Sequence, residues 1–249
     1  MNFNLKSSLR PLGAETIHHG RFIGAFCAFT HAKTIVEIGV QYGHTTAWLC
    51  DAAMVTGGTV YGYDFFPSNG EGIGGDKRDF PMQGAIDHIS QFGLTNYVLR
   101  KVDSHSEEFD ELLRQDLQNA PSSTIDVAFI DGDHSYAGAK QDFEKIFPLL
   151  SEDGTIILHD TYICRGLRKL VIELYENNDG TYDILNLPFG RGNERLGLSF
   201  ITKRSFPLYD RGILFGPGKN SCPHDPDMTS EEVYRVEQEW YKKQLKKRE

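Results

Sequence analysis

The sequence predicts an α/β protein with a doubly wound, mostly parallel seven-stranded sheet that ends in an antiparallel hairpin. Short apolar segments alternate with helix-compatible segments over most of the 249 residues, a pattern typical of a sheet with helices on both faces. Five of the apolar segments end in or just before an acidic residue. The last two are joined by a connection too short for a helix, which favours an antiparallel pair.

The first half of the chain alternates between helix and strand three times. The predicted elements are a helix over 18–29, a strand over 34–38, a helix over 45–54, a strand over 59–63, a helix over 83–92 and a strand over 97–101. The glycine-rich connection over 65–82 is longer than an ordinary loop, so we interpret it as a functional loop or lid.

The second half continues the alternation and then changes character. The predicted elements are a helix over 107–118, a strand over 125–130, a helix over 136–150, a strand over 155–158, a helix over 165–177, strands over 182–187 and 196–202, and a terminal helix over 230–247. We interpret 1–249 as a single domain, in which the core spans 33–203 and the segments 1–32 and 204–249 are additions.

Composition and charge narrow the class of function. The formal net charge is −9, so we expect no nucleic-acid partner. Four cysteines without C-x-x-C spacing argue against a zinc ribbon or a disulfide framework and for a reducing compartment. There is no apolar run of about 18 residues and no apolar core near the N-terminus, so we expect no membrane partner. The sequence therefore predicts a cytoplasmic protein, and a homo-oligomer remains possible.

The turn after the first predicted strand is the centre of the sequence. It has the form Glu37-x-Gly39-x-x-x-Gly43 and leads directly into a helix. Such a turn exposes backbone N–H groups and lets a ligand approach closely. The third glycine of a dinucleotide-binding G-x-G-x-x-G fingerprint is missing, although Asp64 follows at a comparable distance. A nicotinamide-dependent dehydrogenase therefore stays an alternative.

Acidic residues mark the ends of the predicted parallel strands. In such sheets ligands bind beyond the carboxyl ends of the strands, so these side chains are expected at one edge. Asp64 could instead cap a loop, and Asp103 could N-cap the next helix. Asp131 follows a strongly apolar strand, where a buried acid is costly unless something binds it. The strand-end acids are Glu37, Asp64, Asp103, Asp131 and Asp160.

These residues together resemble the class I S-adenosylmethionine-dependent methyltransferases over about residues 33–203. The segments 129–136 and 158–161 resemble the small-molecule O-methyltransferase branch that includes catechol and macrocin-type enzymes. The resemblance implies S-adenosylmethionine as cofactor, with Asp64 at the ribose and Asp103-Ser104 near the adenine. The implied cofactor-binding residues are Glu37, Gly39, Gln41, Tyr42, Gly43, Thr45, Asp64, Asp103, Ser104 and Asp131.

The resemblance also implies a divalent metal, and Mg²⁺ suits an all-oxygen site. The implied ligands are Asp131, Asp160 and Thr161, where Thr161 stands in place of the Asn or Asp of that branch; Asp133 or His134 could complete the site. In the competing account His134 is a general base without a metal. The implied catalytic residues are His134 and Asp131. The pair His18-His19 could reach the site from the N-terminal helix.

The expected reaction is methyl transfer from a sulfonium to an oxygen, in which the protein mainly aligns the reactants. The expected acceptor is a hydroxylated small metabolite, such as a sugar or a natural-product intermediate. Two alternatives remain: the dehydrogenase already mentioned, and a nucleoside-binding protein that keeps the fold without chemistry.

Overall fold

The computed structural model describes residues 14–67, 81–188, 190–191, 194–204, 235 and 239. The chain divides into two compact units, Met1–Ser205 and Phe206–Glu249. Most of the predicted lid over 65–82, and all but two residues of the predicted terminal helix, lie outside the described residues. The interpretation of 1–249 as a single domain stays a prediction.

Helices and strands alternate through the described residues, as the sequence predicts. The helices are α1 Ala14–Phe29, α2 His44–Thr56, α3 Met82–Ser90, α4 Glu107–Asn119, α5 Tyr136–Ile146 and α6 Arg165–Glu176. The strands are β1 Thr34–Ile38, β2 Thr59–Asp64, β3 Tyr97–Lys101, β4 Ile125–Ile130, β5 Leu150–His159, β6 Tyr182–Leu187, β7 Gly190–Arg191, β8 Glu194–Arg195 and β9 Leu198–Lys203.

Several boundaries differ from the prediction, and the differences at α5 and β5 have identifiable reasons. Helix α5 ends at Ile146 because Phe147–Leu149 forms a 3-10 turn that contains Pro148, which lacks a backbone N–H for continuing the helix. Strand β5 begins at Leu150, five residues before the predicted start, because the polar Ser151 to Asp153 segment still continues the strand. The short pair β7–β8 was not predicted.

The sheet has the order β3-β2-β1-β4-β5-β9-β6. Strands β1 to β5 are parallel to one another, whereas β9 is antiparallel to both β5 and β6. This arrangement confirms the predicted fold class and the terminal antiparallel pair. The strand order reverses between β1 and β4, which places a crevice at their carboxyl ends, where open α/β sheets bind ligands.

Strand β1 lies at the centre of the sheet and is buried on both faces. Ile35 belongs to one apolar cluster and Val36 and Ile38 to the other, as expected when helices cover both sides of a parallel sheet. Glu37 is the exception, an acid with no solvent exposure in the middle of the core. No helix within the described residues is long and apolar enough to cross a bilayer.

Candidate active site

The glycine-rich turn joins the ends of β1, β2 and β4. The Gly39 amide donates to the carbonyl of Tyr63 at 2.9 Å, and the Asp131 amide donates to the carbonyl of Ile38 at 2.8 Å. Gly39 has φ +91°, and a Cβ there would lie 2.3 Å from the carbonyl oxygen of Asp131. Only glycine allows both this conformation and this approach, so the turn brings Asp131 beside the predicted cofactor loop.

The remaining turn residues lead into helix α2. Gln41 has φ 53° and Gly43 has φ 76°, both left-handed. Gly43 N-caps α2 without a side-chain hydrogen bond, so the first amides of the helix are not satisfied by a capping side chain. Tyr42 and Thr45 are half-buried beside them. The turn therefore presents backbone donors at the crevice.

Glu37 has one carboxylate oxygen that is free for a ligand. Its Oε2 accepts a hydrogen bond from the Thr46 hydroxyl at 2.6 Å, whereas its buried Oε1 has no hydrogen-bond partner within the part of the chain that the structure describes. Burial, which outweighs the Thr46 bond, raises the pKa of Glu37 well above its usual value. A buried and unpaired acceptor of this kind favours a cationic or N–H donor ligand.

Asp64 and Asp103 both accept hydrogen bonds from backbone amides; this agrees with the alternative role of Asp64 as a loop cap, whereas the alternative N-cap role of Asp103 is wrong. Asp64 accepts from the amides of Gln41 at 2.8 Å and Phe66 at 2.7 Å. Asp103 accepts from the amide of His105 at 2.9 Å, and the N-cap of α4 is Ser106 rather than Asp103. Because a carboxylate oxygen accepts more than one hydrogen bond, both acids keep capacity for a ligand. Ser104, next to Asp103, is half-buried.

A cluster of histidines and aspartates lies at the ends of β4 and β5. Asp131 Oδ1 accepts from His134 Nε2 at 3.1 Å and from His159 Nδ1 at 3.0 Å. The same Nδ1 lies 3.2 Å from Asp160 Oδ1. Burial disfavours charge on His159, but the two neighbouring carboxylates outweigh it and raise the pKa of His159 to about 9. At neutral pH an imidazolium therefore bridges the two carboxylates.

Asp131 is the acceptor on which both imidazoles converge. Burial alone would raise its pKa, but His159 and His134 outweigh burial and hold the pKa of Asp131 well below its usual range. Asp131 is thus a carboxylate across the physiological pH range. It fixes the orientation of two histidines at once.

Helix α1 contributes a third histidine to the cluster. His19 is buried, and its Nδ1 lies 2.9 Å from His159 Nε2. Because the protonated His159 donates from both nitrogens, the hydrogen-bond network assigns the acceptor role to His19 Nδ1. The sequence-based expectation that the His18-His19 pair could reach the site is met by His19; the side chain of His18 lies outside the described residues.

His134 has one oriented nitrogen and one nitrogen facing the site. Its Nε2 is bound to Asp131, which raises the pKa of His134 against the opposing effect of burial. Its Nδ1 lies 3.4 Å from Cys164 Sγ and 3.9 Å from Asp160 Oδ2. The side chain is 37% exposed, so a substrate can reach it. This arrangement can accept a proton at Nδ1.

The structure brings two of the three predicted magnesium ligands close together. Asp131 and Asp160 lie close together, but the His159 Nδ1–H stands between them, at 3.0 and 3.2 Å from one oxygen of each. The Thr161 hydroxyl is buried and accepts from the Ser199 hydroxyl at 2.9 Å. Asp133 is exposed and caps the turn before α5 through the amide of Ser135. The metal role of Asp131, Asp160 and Thr161 stays a prediction, and no chemical step is assigned to it.

Two residues of the site were absent from the sequence-based candidates. His159 ends the apolar strand β5 directly before Asp160, and Cys164 follows Asp160 by one helical turn. A polar side chain at the carboxyl end of a parallel strand is expected to face the crevice. We applied this rule only to acids; applied to histidines as well, it predicts His159. Nothing in the sequence pairs Cys164 with His134, because 30 residues separate them.

Comparison with known proteins places the chain in a family. A family model described as "Methyltransferase domain" matches residues 36–161, which is half of the chain. A curated relative, the uncharacterized protein y4gI of Sinorhizobium fredii, is 27% identical over 147 residues, which make up 59% of this chain and 15% of the relative. The chain thus spans about 15% of the length of that relative.

Solved structures share the fold at low sequence identity. The O-methyltransferase from Bacillus cereus in complex with SAH is 19% identical, with 81% of this chain and 85% of that chain covered and a TM-score of 0.55. TomG from Streptomyces achromogenes, an O-methyltransferase involved in tomaymycin synthesis and solved with SAM, is 15% identical, with coverage of 78% and 82% and a TM-score of 0.55. The SAH-bound methyltransferase PaMTH1 from Podospora anserina is 16% identical, with coverage of 75% and 78% and a TM-score of 0.55.

The matched segment contains the glycine-rich turn and the acids that end β2, β4 and β5. The resemblance to class I methyltransferases that the sequence motifs predicted is therefore confirmed. The chain belongs to the methyltransferase domain family.

Proposed function

We propose that this protein is an S-adenosylmethionine-dependent methyltransferase that O-methylates a hydroxylated small metabolite, such as a sugar or a natural-product intermediate. The observation that carries the proposal is the family match over 36–161, because this segment contains both the cofactor turn and His134. The crevice at the ends of β1 and β4 is the place where folds of this type bind a nucleoside.

The proposed cofactor site uses the groups that the turn leaves available. The free Oε1 of Glu37 accepts from a cationic or N–H group, directly or through water. Asp64, already fixed by two amides, binds the ribose hydroxyls, and Asp103 and Ser104 lie near the adenine. The proposed cofactor-binding set is Glu37, Gly39, Gln41, Tyr42, Gly43, Thr45, Asp64, Asp103, Ser104 and Asp131.

The proposed catalytic group is the Asp131–His134 pair. With S-adenosylmethionine bound, the acceptor oxygen would take the methyl group as the sulfur–methyl bond breaks and S-adenosylhomocysteine leaves, and His134 Nδ1 would take the proton that the acceptor hydroxyl loses. Asp131, bound to the other nitrogen at 3.1 Å, holds the ring orientation and stabilises the imidazolium that forms, as in other histidine–carboxylate pairs. His159 keeps Asp131 in place through its own bond at 3.0 Å.

The proposed setting is a small soluble acceptor in the cytoplasm. Cys27, Cys50 and Cys164 are unpaired thiols, which supports a reducing compartment. The net charge of −9 disfavours a nucleic-acid acceptor. The proposed acceptor is therefore neither a membrane component nor a nucleic acid.

The first experiment is calorimetric titration with S-adenosylmethionine, S-adenosylhomocysteine and NAD. We expect micromolar binding of the two sulfur nucleosides, which corresponds to roughly 8 kcal/mol, and no comparable binding of NAD. Tight binding of NAD with neither sulfur nucleoside would support the dehydrogenase alternative instead. Binding of the nucleosides without turnover on any acceptor would favour the non-catalytic alternative.

The second experiment follows S-adenosylhomocysteine formation against a panel of hydroxylated sugars and phenols, with and without a chelator. Because His134 is the proposed base, we expect turnover to persist in excess chelator. Loss of turnover on chelation with recovery in Mg²⁺ would replace the His134 mechanism with the metal-assisted one, while the methyltransferase assignment would stand.

A further inference from the structure

Three side chains beside the proposed base form a mixed nitrogen, oxygen and sulfur donor set. One donor atom each from His134, Asp160 and Cys164 lies within 4.8 Å of the others. His134 Nδ1 is 3.4 Å from Cys164 Sγ and 3.9 Å from Asp160 Oδ2. Tetrahedral Zn²⁺, with bonds of about 2.3 Å to sulfur and about 2.0 Å to nitrogen, separates such donors by roughly 3.5 Å. The observed spacings need only small adjustments to hold the ion.

The second nitrogen of His134 is arranged as it is in histidine metal ligands. Its Nε2 donates to Asp131 Oδ1 at 3.1 Å. Metal-bound histidines commonly donate their other ring N–H to a carboxylate, which fixes the tautomer and strengthens the ligand. Nδ1 therefore faces the donor set, where it contacts Cys164 Sγ at 3.4 Å.

The backbone holds the three donors together. The carbonyl of Asp160 accepts from the amides of Ile163 at 3.2 Å and Cys164 at 2.9 Å, so Asp160 and Cys164 lie on one tight turn. Asp160 itself has φ 55°, a costly conformation that aims its side chain. A Cβ on Gly166 would lie 2.4 Å from the carbonyl oxygen of His134, so this glycine lets the turn approach the His134 loop.

Charge and exposure also suit a cation. Asp160 Oδ1 lies 3.2 Å from His159 Nδ1, and Asp160 Oδ2 lies 3.9 Å from His134 Nδ1. Cys164 is the N-cap residue of α6 and makes no side-chain capping bond. Burial and the neighbouring Asp160 and Asp131 carboxylates raise the pKa of its thiol, so a bound ion would displace the thiol proton. Three protein ligands leave the fourth position of a tetrahedral ion open, and the partly exposed His134 gives solvent access to it.

We propose that His134, Asp160 and Cys164 form a binding site for Zn²⁺ or a similar thiophilic, four-coordinate divalent cation. The ligand set differs from the all-oxygen magnesium set in its sulfur and nitrogen donors. The site does not depend on the proposed methyl transfer, although an ion on Nδ1 would occupy the lone pair that the proposed base uses.

Cobalt absorption tests the site directly, because a thiolate bound to Co²⁺ gives a charge-transfer band in the near ultraviolet. Metal-free, reduced full-length protein is titrated with Co²⁺. We expect one equivalent to produce the band, one equivalent of Zn²⁺ to remove it, and excess Mg²⁺ to leave it unchanged. Absence of the band in the wild-type protein, or its loss in Mg²⁺, would overturn the proposal.

Variants identify the sulfur ligand. Cys164→Ser should lose the band. Cys222→Ser, at a position outside the described residues, should keep it. The other two cysteines, Cys27 and Cys50, are fully buried. Asp131→Asn should weaken Co²⁺ affinity about 10- to 100-fold, as expected for a residue that hydrogen-bonds a metal ligand. Far-ultraviolet circular dichroism checks that each variant is folded. A band that persists in folded Cys164→Ser, or disappears in folded Cys222→Ser, would overturn the proposal.

Discussion

At the scale of single residues, Asp131 connects the sheet to the site. Its amide binds the end of β1 and its carboxylate binds two imidazoles through one oxygen. Each imidazole approaches from a different element, His134 from the loop before α5 and His159 from the end of β5. Asp131 therefore orients both rings, and Asp160 adds to its effect on their pKa values.

Replacing His134 tests the proposed base. We expect His134→Ala to lower kcat about 10²- to 10⁴-fold, the usual contribution of a general base, and to leave the affinity for S-adenosylhomocysteine unchanged. The exposed His31, at the end of α1, offers a matched control as His31→Asn, which should keep full turnover. Equal turnover in His134→Ala and the wild-type protein would remove His134 from the mechanism.

Asp142 gives a prediction on stability rather than activity. It is fully buried on α5, and burial, against the opposing effects of Ser104 and His105, raises its pKa from 3.8 to about 6. The folded state therefore holds a proton that the unfolded state releases between these values, so stability falls as pH rises from about 4 to 6, by up to about 3 kcal/mol. Above pH 6 this loss is complete.

Urea unfolding of Asp142→Asn at pH 4 to 7 measures that effect. The variant lacks the titrating group, so its stability relative to the wild-type protein should increase across this window. Asp153→Asn removes an exposed carboxyl and should run parallel to the wild-type curve. A constant difference between Asp142→Asn and the wild-type protein from pH 4 to 7 would contradict the prediction.

At the scale of elements, helix α1 lies outside the segment that the family model matches and still contributes to the site. His19 lies on its buried face and contacts His159. A Cβ on Gly20 would lie 2.2 Å from the Trp48 ring, so α1 packs closely on α2. Helix α1 therefore packs on α2 and contributes one histidine to the cluster at the end of β5.

The close approach in the turn between β1 and α2 is tested by replacing Gly39 in that turn and, as a control, Gly57 after α2, both of which have positive φ. Gly39→Ala places a Cβ 2.3 Å from the carbonyl of Asp131, whereas a Cβ on Gly57 meets nothing within 4 Å. Gly57→Ala should cost only the left-handed strain, about 1–2 kcal/mol. Gly39→Ala should cost clearly more in urea unfolding and should abolish binding of S-adenosylmethionine. Similar costs for the two variants would show that the close approach is unimportant.

At the scale of the whole molecule, the strand order brings distant residues to one edge. Strands β1 and β4 are neighbours although two other strands separate them in sequence. The cofactor turn and the His–Asp cluster therefore lie side by side at the switch in strand order. Binding at this crevice should stabilise the folded unit as a whole.

Thermal unfolding measures that stabilisation. A ligand present at 100 times its Kd stabilises the native state by about 2.7 kcal/mol, which raises Tm by roughly 5–10 °C in a domain of this size. We expect this shift with S-adenosylhomocysteine and none with NAD at the same concentration. Equal shifts with both ligands, or a shift with NAD alone, would contradict the cofactor assignment.

Much of the fold could be predicted because its signals are local. Strand β4 is apolar except for Asp126, and β3 and β6 are bounded by turns, so their predicted limits agree with the structure. The end of α5 was misplaced because the apolar period continues through the 3-10 turn at Pro148, where the missing amide is decisive. The spacing of apolar side chains does not show that one backbone hydrogen bond is missing.

The sequence by itself determined the fold class, the glycine turn and the strand-end acids, because periodicity, backbone conformation and strand polarity act over a few residues. Only the tertiary structure decided which side chains meet. It joined His19 to His159 and Cys164 to His134, and it placed His159 between Asp131 and Asp160. These contacts bring together residues up to 140 positions apart. Such proximity comes from the order of strands in the sheet, which no local pattern encodes.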